Sequence, residues 1–382
     1  MIYFDNASTS YPKPEAHCRH IAHIYDFPLG SYGRSRDSHT LELSTQVESL
    51  RDLLASTIGA KGQGEQICFT KNATEAINTV LKGLPGLQKR EILLSPMEHN
   101  AVARPVYGLD KGADPTLMPA KSDGSVDIAA LSELLRSQTT APRLCVINGM
   151  SNINGLKQDI AAIVSAVRTC YPHCAFLLDA AQALPYMHID VQAWGIDYVA
   201  ITGHKGLLGP VGTGALYVRD PLSITPLMRG GTGFRSEELA DTTHMPERFE
   251  SGTMNLIGLS AWYVSLKHYP CERELIEGAT LSNFIHRLEH ELGYRTFAAS
   301  ESSKQGPLFS ILPRQGSAAT LSDRLYYDFG ITTRFGIHCA PLAHRTLGTI
   351  NTGTVRISLS PYNTTDELSE LYEALRICNG GL

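Results

Sequence analysis

Between residues 66 and 218 the chain alternates short apolar runs with helical patterns, and this alternation constrains its fold more than any other feature. Gln66–Phe69, Glu91–Ser95, Leu144–Ile147, Phe176–Asp179, Tyr198–Thr202 and Gly214–Val218 are too short for helices and rich in aliphatic or β-branched side chains. They read as buried strands. Thr74–Leu84 and Asp159–Tyr171 read as helices, with Asp159 as a cap suited to the positive end of the helix dipole. Strands without a polar face, separated by helices, imply a mostly parallel sheet covered on both sides, an α/β architecture.

After about residue 255 the pattern changes. Helical stretches over about 256–269 and about 274–293 precede sparser strands, Leu308–Leu312 and Val355–Leu359, and a helix over Thr365–Cys378. This predicts a smaller C-terminal α+β domain. The expected division is a large domain over 15–250 and a small one over 251–382, joined by the N-terminal segment 1–14.

Composition excludes several function classes. With 382 residues, 43% hydrophobic and 19% charged, the chain has enough apolar side chains for a large core. The net charge is −5 and no basic block occurs, so there is no electrostatic footprint for nucleic acid. The opening Met1-Ile2-Tyr3-Phe4-Asp5-Asn6 does not read as a signal peptide, and no apolar run is long enough for a membrane span. A soluble, cytoplasmic protein is expected. None of the eight cysteines forms a C-x-x-C pair. Cys170 and Cys174 alone are too few for a closed metal site, so no metal is expected. Most of the thiols read as small core residues in a reducing compartment.

Two stretches carry chemistry. Leu178-Asp179-Ala180-Ala181-Gln182 and Thr202-Gly203-His204-Lys205-Gly206 each begin at the C-terminal end of a predicted strand. Ligands of open α/β sheets gather at that edge. A carboxylate keeps a pyridine nitrogen protonated, which makes the ring a better electron sink, and a desolvated lysine can capture an aldehyde and move a proton. Thr202 and His204 could donate to a phosphate. The glycine-rich run Gly206–Gly214 does not fit G-x-G-x-x-G and leads into a strand, so it reads as a tight hairpin rather than a nucleotide loop.

Asp-x-x-Gln followed by Ser/Thr-Gly-His-Lys resembles the signature of class V aminotransferase-like enzymes that use pyridoxal 5'-phosphate (PLP) on fold type I. The chain is similar to their cysteine desulfurase and selenocysteine lyase branch almost end to end. Tyr3-Phe4-Asp5-Asn6-Ala7-Ser8-Thr9 resembles that family's YLDNAAT opening, and Thr70–Asn78 resembles its T-x-x-(A/T)-T-E-A-I-N turn. Pro96-Met97-Glu98-His99-Asn100, Ser151-Asn152-Ile153-Asn154-Gly155 and Phe249-Glu250-Ser251-Gly252-Thr253-Met254-Asn255 resemble its M-E-H, S-N-x-x-G and F-E-(A/S)-G-T-x-N segments. Ser35–His39 departs from the family's H-R-G-x-H, matching only at Arg36 and His39.

The resemblance implies a seven-stranded sheet and a set of roles. Lys205 binds the cofactor aldehyde, Asp179 pairs with the ring nitrogen, Gln182 meets the ring hydroxyl, and His99 stacks on the ring and assists proton movement. Asn152 lies by cofactor and substrate. Ala73, Thr74, Thr202 and His204 cradle the phosphate, as the free N–H groups of a helix start at Thr74 also suggest. Thr253 reaches the phosphate of a partner subunit, so a homodimer is implied.

A last segment, Arg334-Phe335-Gly336-Ile337-His338-Cys339-Ala340-Pro341, resembles the R-x-G-x-H-C-A-x-P stretch of the short-loop desulfurases. Gly336 and Pro341 suggest a constrained loop. Arg334, His338, His344 and Arg345 make the segment read as basic, which favours the thiolate of Cys339 as the nucleophile. Arg356, in Val355–Leu359, matches the arginine that clamps a substrate carboxylate, with Arg334 nearby. The implied reaction takes L-cysteine to L-alanine and leaves a persulfide on Cys339. Selenocysteine lyase, another C–S β-lyase or aminotransferase, and a non-enzymatic PLP-binding scaffold are the alternatives. A sulfur-acceptor protein is an expected further partner.

Overall fold

The computed structural model describes residues 1–235, 237, 239–270 and 276–380. Its strands are β1 (Ile2–Tyr3), β2 (Ile67–Thr70), β3 (Ile92–Leu94), β4 (Thr116–Leu117), β5 (Leu144–Asn148), β6 (Ala175–Asp179) and β7 (Tyr198–Thr202). These are followed by β8 (Gly214–Val218), β9 (Arg295–Phe297), β10 (Leu308–Leu312), β11 (Ile331–Thr332), β12 (Arg334–Gly336) and β13 (Thr354–Ser358).

A seven-stranded sheet in the order β2-β8-β7-β6-β5-β3-β4 forms the centre. Its strands run parallel from β7 to β4, while β8 is antiparallel to both of its neighbours, β7 and β2. β5, β7 and β8 are buried at every position, as two-sided helical cover requires. Helix Ala73–Gly83 follows Asn72, whose side chain accepts from Glu75 N–H. Helix Ile160–Cys170 follows Asp159, which caps it by accepting from Ala162 N–H. Each expected helix thus begins within one residue of its predicted start, where the side-chain cap dictates.

One local expectation is corrected. β7 and β8 do form an antiparallel hairpin, but their connection over 203–213 is wide, not a tight turn. The loop folds back on itself through Gly209 N–H to the Gly203 carbonyl at 2.8 Å. It lies flat against Trp262, and a Cβ on Gly209 would come within 2.5 Å of the indole. Glycine here serves close packing.

The C-terminal part holds an antiparallel four-stranded sheet, β12-β13-β10-β9. Phe284, Phe309, Ile357 and Leu371 share one apolar core there with Ile2 and Phe4. Leu259 and Trp262, on helix Leu256–Lys267, belong instead to the core under the large sheet. The expected helix over about 274–293 runs Gly278–His290; residues 274 and 275, like Cys271 and the last two residues, lie outside the described residues. Among the described residues no helix is long and apolar enough to cross a membrane.

The N-terminal segment joins the two cores. Ser358 N–H donates to the Phe4 carbonyl at 2.8 Å, and Ser358 Oγ accepts from Ala7 N–H at 2.9 Å. The chain then crosses to the lysine loop, where Ser10 N–H donates to the His204 carbonyl at 2.9 Å. The half-buried ammonium of Lys13 bonds the same carbonyl at 3.2 Å and that of Gly209 at 2.7 Å. Residues 5–8 are thereby fixed over the C-terminal edge of the parallel strands.

Candidate active site

That edge opens into a cavity of about 290 Å³. It is lined by Ala73, Thr74, His99, Asn152, Asp179, Gln182, Thr202, His204, Lys205, Arg334, Cys339 and Arg356. These are all the residues given a cofactor, substrate or catalytic role in the sequence except Thr253. Thr253 lies in neighbouring clefts, beside Tyr32, Arg34 and Glu250. The segment Ser35–His39 lines none of these cavities; Asp37 caps helix Ser38–Thr57 and His39 reaches the Ile24 carbonyl.

β6 ends at Asp179 and β7 at Thr202, so the parallel register delivers both to the same edge. Asp179 is 4% exposed and accepts from Ala181 N–H at 2.9 Å. Burial raises its pKa against the lowering effects of that bond and of Lys205. Burial lowers the Lys205 ammonium to about 8, with Asp179 opposing and Arg356 and Arg334 assisting. A lysine at about 8 is readily available as the free amine near neutral pH.

His99 caps helix Asn100–Tyr107, with Nδ1 accepting from Ala101 N–H at 3.0 Å. That bond puts the ring proton on Nε2. Burial first, then Lys205 and Arg356, hold its pKa down at about 3, so the ring is neutral. Immediately before it, Glu98 is wholly buried, taking a 2.7 Å bond from Ser95 Oγ. Burial, then the charge of Asp179, raises its carboxyl well above the ordinary range, which favours the protonated form. The sequence reading passed over Glu98, although a charged residue between Met97 and an aromatic ring was a signal.

The cysteine loop is pinned from both sides. Asn100 N–H donates to the Cys339 carbonyl at 2.7 Å, and Asn152 Nδ2 donates to the His338 carbonyl at 2.9 Å. His338 and Cys339 both take left-handed backbone conformations, φ 48° and 56°, which non-glycine residues rarely adopt. The Cys339 side chain is exposed. The expectation that the histidines make this segment basic is corrected. His338 is 5% exposed and His344 fully buried, and burial lowers them to about 2 and about 4. Both are neutral, and the positive charge facing the cavity from here is Arg334.

The donor set fits pyridoxal phosphate. Thr202 Oγ1, His204 Nδ1 and Asn152 Oδ1 are buried on the cavity wall without partners. Such atoms are costly to leave unsatisfied, and a polar ligand would satisfy them. At the start of helix Ala73–Gly83 the Asn72 side chain engages Glu75 N–H, so the amides of Ala73 and Thr74 remain for an anion. Gln182 spends one Nε2 hydrogen on the Ala7 carbonyl at 2.9 Å and keeps the other.

The sheet order and this constellation place the chain among the PLP enzymes of fold type I. Comparison with known proteins narrows the class. The profile of the aminotransferase class-V family matches residues 2–371. A probable cysteine desulfurase of Methanothermobacter thermautotrophicus is 31% identical over 98% of this chain and 94% of its own length. The cysteine desulfurase CsdA of Escherichia coli is 30% identical over 98% of this chain and 93% of its own. The apo structure of a cysteine desulfurase from Thermococcus onnurineus superposes with a TM-score of 0.89 at 26% identity, covering 100% of this chain and 95% of that one. The chain belongs to the class-V aminotransferase family, in its cysteine desulfurase branch.

Proposed function

We propose that the protein removes sulfur from L-cysteine, giving L-alanine and a persulfide on Cys339. The observation that carries this reading is the place of an exposed, backbone-pinned cysteine on the same cavity as Lys205, Asp179 and Arg356.

Pyridoxal phosphate, when bound, supplies an aldehyde that captures the substrate amine and a ring that delocalises charge from its α-carbon. The remaining work falls to the chain. Lys205 would hold the cofactor. With its ammonium lowered to about 8, its Nζ can take and return a proton near neutral pH. Asp179, at the end of β6, would face the ring nitrogen as a buried counter-charge. The neutral His99 ring offers an apolar face for stacking and an Nε2–H for proton movement. Thr74, Thr202, His204 and the amides of Ala73 and Thr74 would hold the phosphate; Gln182 would hold the ring hydroxyl.

Arg356 and Arg334 would bind the substrate carboxylate. Cys339 Sγ then attacks the substrate sulfur as a thiolate: the S–S bond forms, the substrate C–S bond breaks, and the carbon keeps the electron pair. One proton then adds to that carbon to make the methyl group of alanine, so thiol plus cysteine balances against persulfide plus alanine. The reading includes a homodimer in which Thr253 serves the site of a second copy; a solution mass of 41.7 kDa, that of one chain, would remove that part.

The test is incubation of the loaded protein with L-cysteine, with Cys339→Ala alongside, measuring alanine, sulfide and the mass of the Cys339 peptide. Alanine from the wild type only, with a sulfur added to Cys339, supports the reading. Equal cysteine consumption by both proteins refutes it.

A further inference from the structure

Ser8 is a point where the opening of this chain departs from the family pattern YLDNAAT, which has alanine at that place. Its hydroxyl is fully engaged. Oγ donates to Asp5 Oδ1 at 2.8 Å and accepts from Arg356 Nη2 at 2.9 Å and from Arg334 Nη1 at 2.7 Å. A hydroxyl has one donor and two lone pairs, so Ser8 is saturated by these three groups.

The two arginines depend on it differently. Arg334 is exposed, and Ser8 Oγ is the hydrogen-bond partner of its side chain among the described residues. Without that bond this long, flexible side chain loses its tether over the cavity. Arg356 is 2% exposed and is held from several directions: Nη2 on Asp5 Oδ1 at 2.8 Å and on Ser8, Nη1 on the Asn152 carbonyl at 3.2 Å. Asp5 Oδ1 and Ser8 Oγ, themselves only 2.8 Å apart, approach Nη2 from the same side. The Nε–H of Arg356 is buried and without a partner, and both guanidinium groups border the cavity.

We propose that Ser8 determines how this site takes a carboxylate: by tethering Arg334 beside Arg356, its hydroxyl makes the α-carboxylate of an amino acid bridge two guanidinium groups. Ser8 is a positioning residue here, acting through Arg334. The inference refines the carboxylate site of the function proposed above and rests on its binding an amino acid, but not on the sulfur step.

The experiment titrates the cofactor-loaded wild type, Ser8→Ala, Ser8→Thr, Arg334→Ala and the Ser8→Ala/Arg334→Ala double variant with L-alanine, following cofactor absorbance. A parallel titration uses ethylamine, which lacks the carboxylate. Ser8→Ala should weaken L-alanine binding about tenfold, equivalent to about 1.4 kcal/mol. It should leave ethylamine within about twofold, and Ser8→Thr should restore the affinity for alanine. In the Arg334→Ala background, Ser8→Ala should add nothing. Unchanged or tighter alanine binding by Ser8→Ala overturns the inference, as does equal weakening of both ligands or additive losses in the double variant. Failure of the sulfur-transfer reading would show separately, in the alanine and sulfide assay.

Discussion

Replacing His338 and His344 by glutamine should make the stability of this protein less sensitive to acid. Both rings are buried, 5% and 0% exposed, and stack with centroids 5.8 Å apart. His338 Nε2 donates to the Thr354 carbonyl at 3.1 Å, and His344 Nδ1 bonds Thr349 Oγ1 at 2.7 Å. Burial lowers His338 to about 2, helped by Arg356 and by His344; burial lowers His344 to about 4 against the effect of Thr349. Folded values below the unfolded value of about 6.5 mean that below this pH the unfolded chain binds more protons. The stabilisation is therefore complete above about pH 6.5 and is lost as pH falls, levelling off near 4 for His344 and near 2 for His338. Each ring contributes a slope of about 1.4 kcal/mol per pH unit, so at pH 5 the pair has cost about 4 kcal/mol. That is a large share of a total of about 5–15 kcal/mol. Urea unfolding of the cofactor-free protein between about pH 7.5 and about pH 5 measures it. The variants start lower at neutral pH, having lost native hydrogen bonds worth about 1 kcal/mol each, but decline less steeply. Wild-type and variant stabilities that fall in parallel would refute the assignment of these rings as neutral.

Further outcomes follow from the same geometry. Because His338 carries no charge, His338→Gln should leave the pH profile of Cys339 alkylation unmoved, and peptide mass mapping should find exposed Cys339 modified before the buried Cys68, Cys145 and Cys378. Glu250 receives Arg51 through Nη1 at 2.6 Å and Nη2 at 2.8 Å, and Phe69 N–H at 2.6 Å, with the Arg51 side chain 1% exposed. Glu250→Ala leaves Phe69 N–H without its acceptor and Arg51 with only exposed Glu48 and the Ile67 carbonyl, and should cost about 3–5 kcal/mol in urea unfolding. Burial favours the neutral carboxyl of Glu98, so Glu98→Gln should register less than about 1 kcal/mol in thermal unfolding; a loss above about 3 kcal/mol would mean that the carboxyl is ionised.

Much of the molecule was legible along the chain. The strands of the large sheet announced themselves because burial on both faces leaves no polar position, as β5 and β7 show. Asp179 and Lys205 were readable as a pair because both follow such strands, and parallel strands end at one edge by construction. Cys339 and Arg356 were readable only through resemblance, since nothing in their local sequence says that a strand of the second sheet and a loop before helix Pro341–Thr346 face that edge.

Charge state and contact are properties of neighbours in space. His338 and His344 look like cations in sequence and are neutral, because burial in the folded chain desolvates them. The glycine run after Lys205 suggests a tight hairpin and is a wide loop, whose Gly209 packs so close to Trp262 that a Cβ would collide with it. Ser8 looks like a small substitution in a motif; only the meeting of β1's continuation with β12 and β13 puts its hydroxyl between two arginines. Local signals, periodicity and strand ends, were enough to bring Asp179 and Lys205 to one sheet edge. The protonation and partners of these and the other cavity residues came only with the tertiary structure, because desolvation and hydrogen bonding depend on groups far apart in the chain.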